Sequence, residues 1–176
     1  MSWFSRFSRN IKSYEIDEAA IGVGSNRVTI KPNIEDMQIA YRLWVELSTR
    51  KIGLGIDLDN DVIKEIYDSW YEFFRVTREL IKSIPVSKIR RDKSTKELVR
   101  IAIEVLNEGV RPHLTKWQAR FRRWYNSEIN KDKNCELSPQ DCQKKFPEYS
   151  KLTKDLIEIN KRLIEYRNIL YKLALE

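Results

Sequence analysis

Two cysteines, one histidine, five glycines and five prolines are all that this 176-residue sequence holds of the residues that staple, ligate or break a chain. Two cysteines cannot build the disulfide framework of a small secreted domain, and with a single histidine they fall short of a closed four-ligand zinc site. So few Gly and Pro argue against a fold assembled from short strands and tight turns. Also missing is any run of roughly 18 apolar residues, the length of a membrane-spanning helix. The first residues lack the continuous apolar stretch that directs export, so a cytoplasmic chain is expected. Gly22-Val-Gly24 has no third glycine and no strand-to-helix context, which removes a nucleotide loop.

What is present is helix-forming material. Apolar residues make up 41% and charged residues 34%, enough of both for one packed core with a charged surface. The clearest element is the last one. Leu152, Leu156, Ile159, Leu163, Tyr166, Leu170 and Leu173 alternate steps of four and three, the seam of a helix packed lengthwise against others. Upstream, Asn33 or Pro32 opens a helix carrying Met37, Ala40, Tyr41, Trp44 and Leu47, which ends before Gly53 and Gly55. A second helix runs from about Asn60 to Ser83, and a third from about Ser94 to Asn107. Gly109 and Pro112 read as a turn, with Pro112 in the first turn of a fourth helix that buries Leu114, Trp117, Phe121, Trp124 and Tyr125. Residues 126–147 read as a polar surface connection with room for one short helical turn.

The expected fold is all-α: an antiparallel bundle of four long helices over 33–176. Residues 1–32 form an appendage, made of a short N-terminal amphipathic helix and a small β-hairpin around Ile21–Ile30.

Charge supplies the functional expectation. Lys and Arg number 33 against 26 acids, a net charge of +7, and the surplus is clustered. Residues 82–100 hold seven bases and two acids, and residues 111–133 hold the same numbers; residues 55–80 hold seven acids and three bases. If the chain turns back at Gly109–Pro112, Lys93–Arg100 and Arg120–Lys133 meet at one end. The expected site is then a single basic patch of Arg90, Arg91, Lys93, Lys116, Arg120, Arg122 and Arg123, gripping an RNA or DNA backbone without reading its sequence. The other reading is a protein-interaction or peripheral-membrane component of a larger assembly, with an acidic protein or, less favoured, a lipid surface as partner. Its anchor is the helix of Trp3, Phe4, Phe7 and Ile11, interleaved with Arg6, Arg9 and Lys12.

Enzymatic chemistry finds no foothold. His113 stands alone and is expected to be a satisfied core or surface side chain, and Cys135 and Cys142 read as ordinary thiols. Asp57, Asp59, Asp61, Glu65 and Asp68 imitate the spacing of a calcium loop, but Val62 stands where that loop needs Gly. These acids read better as a helix start capped by Asp59 or Asn60. No nucleophile–base pair appears, and no metal or cofactor is expected.

Overall fold

The computed structural model describes residues 19–23, 26–30, 32–131 and 137–176, and the chain is all-α in class. Two short strands, β1 (Ala19–Val23) and β2 (Asn26–Ile30), pair antiparallel with Ala19 opposite Ile30. Helices follow: α1 (Ile34–Ser48), α2 (Ile63–Lys82) and the short corner helix α3 (Val86–Arg91). Next, α4 (Lys93–Glu104), a π-helical stretch Val105–Val110, α5 (Arg111–His113), a second π-helical stretch Leu114–Gln118 and α6 (Ala119–Lys131) abut without a gap. Together they form one long helix over residues 93–131. A short α7 (Pro139–Lys144) and the C-terminal α8 (Tyr149–Leu175) complete the chain.

The long helix overturns the expected turn at Gly109–Pro112. A proline inside an α-helix lacks the N–H its position requires and clashes with the carbonyl four residues back. Here the backbone widens instead of breaking, and the Arg111 N–H donates to Leu106 O, five residues earlier. Widening also resets the phase of the helix. From Val105 a buried stripe runs Val105, Gly109, His113, Trp117, Phe121 and Tyr125 in steps of four, with Leu106 and Val110 buried beside its start. In a regular α-helix each such step drifts about 40° round the axis. A π turn takes in more residues per turn and holds the stripe on one face.

Local chemistry explains the other helix starts. Asn33 caps α1 by accepting from the Glu35 and Asp36 N–H groups, while Asp36 reaches back to the Asn33 N–H at 3.2 Å, a reciprocal capping box. Asp36 is fully buried because it also accepts from the Ser94 hydroxyl and, at 2.5 Å, from the Thr95 hydroxyl. That demand sets the rotation of α1. Its inward stripe is Asp36, Ile39, Ala40, Leu43 and Leu47, whereas Tyr41, expected inside, is exposed. Asp92 caps α4, accepts from the Asn33 amide, and so ties the two helix starts together.

The start of α2 differs from expectation too. Neither Asp59 nor Asn60 caps it; Val62 occupies the cap, and the Ile63 N–H donates to Gln143 Oε1 at 2.8 Å. Gln143 is fully buried and returns a bond from Nε2 to Asp61 O, so α7 closes an end that no local side chain satisfies. The acids instead form a turn. Asp57 accepts from the Asn60 amide at 2.7 Å and from the Asp59 N–H, and the first of these bonds leads in holding its carboxyl below the usual range.

Pairwise contacts position the helices. Trp44 of α1 lies 5.6 Å from Tyr171 of α8, and Arg167 donates to Gly53 O just beyond α1, so these two run in opposite directions. Phe74 and Tyr67 of α2 meet Arg111 and Phe121 of the long helix in that order, again antiparallel. Glu148, just before α8, and Asp155 within it meet Arg120 and Trp117 of the same helix, a third opposed pair. The core runs between them and includes the whole predicted seam of α8, Leu152 to Leu173. Gly53 allows the chain after α1 to fold back, because a Cβ there would sit 2.2 Å from Leu47 O.

Candidate functional site

Basic residues predicted to meet lie far apart. Lys93 and Arg120 belong to one continuous helix, and at 1.5 Å per residue about 40 Å separates them. The single patch therefore does not exist in the predicted form. Its two halves become two poles.

At the first pole, α3 and the start of α4 carry Arg90, Arg91, Lys93 and Lys96, all exposed. Among the described residues none of the four takes part in an ion pair. Beside them lies an open groove of about 770 Å³, lined by Pro32, Asn33, Pro85, Lys88, Arg91 and Asp92 among others. Lys88 is bonded to Glu35 across it. Ile34 and Val86 at the same corner are 84% and 69% exposed, a marked apolar presence amid cations.

At the second pole two of the four cations are paired with acids. Arg120 is bonded to Glu148 and lies 5.4 Å from the Trp117 ring, and Arg122 is bonded to Asp68. Lys116 rests over Trp117 at 4.6 Å, and Arg123 is exposed. The aromatics of this helix, as expected, are core: Trp117, Phe121 and Tyr125 are buried. Trp3, Phe4, Phe7 and Ile11 lie outside the described residues.

Between the poles the two π-helical stretches bracket the chain's one histidine, and π segments recur at functional positions in proteins. The His113 side chain is fully enclosed. Its Nδ1 lies 2.8 Å from Asp155 Oδ2 on α8, and its Nε2 lies 3.1 Å from the Tyr67 hydroxyl on α2. Trp117 Nε1 donates to the same Asp155 oxygen at 2.8 Å, and Trp70 packs its ring 5.5 Å from the imidazole. A carboxylate only accepts, so Nδ1 carries the proton and Nε2 accepts from Tyr67. Burial pushes the imidazole below its ordinary value of 6.5, outweighing the hydrogen bond and charge of Asp155. Burial also opposes the Asp155 charge, but the bonds from His113 and Trp117 prevail and hold that carboxyl below its usual range. Burial, reinforced by the Asp155 charge, raises the Tyr67 phenol.

This centre was legible only in part. His113 stands four residues before Trp117 on the stripe that continues to Phe121 and Tyr125, which marks it as inward-facing. Its acidic partner is 42 residues away in sequence, and nothing local announces it. Among the described residues no group of three or more His, Cys, Asp or Glu side chains could hold a metal ion, and no helix is long and apolar enough to cross a membrane. Compared with known proteins, the chain matches no family model, no curated protein and no solved structure.

Proposed function

We propose that this chain is a non-enzymatic antiparallel four-helix bundle, α1, α2, the long helix and α8 running up-down-up-down, that binds the phosphates of RNA or DNA through the basic corner at α3. The observation that carries the reading is the exposed set Arg90, Arg91 and Lys93, with no acidic partner among the described residues. Guanidinium and ammonium groups with no ion-pair partner to give up are available to replace the counterions condensed on a polyanion. Arg120 and Arg122 would first have to release Glu148 and Asp68. The surface therefore contracts from the seven predicted residues to one pole.

Fluorescence anisotropy with a labelled single-stranded RNA and a DNA duplex, over a salt series, tests this. Reversing Arg90, Arg91 and Lys93 to Glu together should weaken binding about tenfold or more and flatten the salt dependence. Reversing Lys116 and Arg123 should leave both nearly unchanged. Wild-type affinity in the triple variant would overturn the assignment. A second reading, an interaction component for an acidic amphipathic protein or an anionic lipid surface, draws support from exposed Ile34 and Val86 beside the same cations. Flotation with anionic vesicles in the absence of any nucleic-acid shift would favour it.

A further inference from the structure

We propose that His113 is an acid-sensitive latch: protonating its Nε2 removes the acceptor that the Tyr67 hydroxyl uses and loosens α2 from the π-helical middle of the long helix. In the neutral ring every polar atom is matched, Nδ1–H to Asp155 and Nε2 to the Tyr67 hydroxyl. A second proton places an N–H against a hydroxyl whose own hydrogen already points at the ring. The hydroxyl can accept from that N–H only by turning its own hydrogen away from the ring, and Tyr67 is fully buried. That leaves a donor stranded in the core, a costly arrangement.

The charged surroundings do not rescue the imidazolium. From α8, Asp155 attracts it, but its Oδ2 already accepts from both His113 and Trp117. From the long helix itself, Lys116 repels a charge on the ring, and Arg122 lies close enough to act on Tyr67. From α2, Tyr67 and Trp70 contribute no opposite charge. The segment under stress is also the one where the helix departs from α geometry on both sides. Opening is thus directed to the α2 interface, where it also separates Asp68 from Arg122.

The sign is consistent with this. The native imidazole sits below 6.5, so its stabilisation is complete above that pH and is lost as pH falls from 6.5 toward the native value. Asp155 is held below 3.8, so its own contribution fades only in more acid solution.

With one histidine in the chain, the imidazole resonances need no assignment. They are followed by NMR on the intact protein from neutral to acid pH, beside near- and far-ultraviolet circular dichroism. The expected result is a ring that stays neutral well below 6.5. It then charges in step with loss of the near-ultraviolet signal from Trp70 and Trp117, while the far-ultraviolet helical signal persists. In His113→Asn, which keeps an N–H for Asp155 but does not titrate, that transition should vanish. A ring that charges near 6.5 with tertiary structure intact would overturn the proposal. So would a tertiary transition unchanged in His113→Asn. If that variant does not fold, the wild-type titration decides alone.

Discussion

Asp36→Ala should lower the stability of the chain by about 3 kcal/mol, read as the shift of a urea unfolding midpoint. The carboxylate is fully buried and accepts from three donors: the Asn33 N–H, the Ser94 hydroxyl and the Thr95 hydroxyl. Removing it leaves the Thr95 hydroxyl and the Asn33 backbone N–H facing a small cavity, while the Ser94 hydroxyl keeps Asp92 as acceptor at 2.7 Å. Each unsatisfied donor costs on the order of 1 kcal/mol, and hydrogen bonds to a charged acceptor are worth more. The loss also has a directional component. Asp36 is where α1 and α4 are joined, and its place sets which face of α1 turns inward. Glu35→Ala, one residue earlier, removes an exposed partner of Lys88 and should cost no more than about 0.5 kcal/mol. Equal effects at the two positions would show that surface charge, not the buried junction, matters.

Asn160→Ala should cost a similar amount, about 3 kcal/mol, with a local signature as well. The Asn160 amide donates to Ile52 O at 3.0 Å, Leu54 O at 2.9 Å and Lys51 O at 3.2 Å, while its oxygen accepts from the Ile56 N–H. One side chain on α8 thus satisfies four backbone groups of the loop after α1. No water reaches the residue, which is 3% exposed, so nothing replaces these bonds. Trypsin should cut the variant at Arg50 or Lys51 well before the wild type, because loop cleavage follows local opening. Asn168→Ala on the same helix, exposed and accepting only from its neighbour Arg167 among the described residues, should leave stability and cleavage unchanged.

Elements that obey one period were readable. In α8 the four-three alternation from Leu152 to Leu173 named seven residues, and all seven are buried. The long helix defeated the same reasoning because its period changes midway. Its stripe advances by fours from Val105 to Tyr125, and a reading at 100° per residue sees that stripe wander off the face. Gly109 and Pro112 then invited a break where the backbone only widens. With the break went the premise that Lys93 and Arg120 are neighbours. Buried polar residues were illegible for another reason. Asn160 serves a loop 104 or more residues earlier, and Gln143 caps a helix 80 residues before it. In sequence each is one more amide, and Gln143 even lies in a stretch that reads as surface.

The paired π stretches carry one more implication, for chain length. A π turn accommodates an additional residue within a helix, so residues 105–118 can lose a single residue by exchanging π for α winding. Phe121 and Tyr125 would keep facing the core through such a change. The same deletion in α8 has no slack to absorb it and would swing every later side chain by about 100°. A one-residue deletion should therefore cost less at the middle of the long helix, next to the histidine, than in the C-terminal helix.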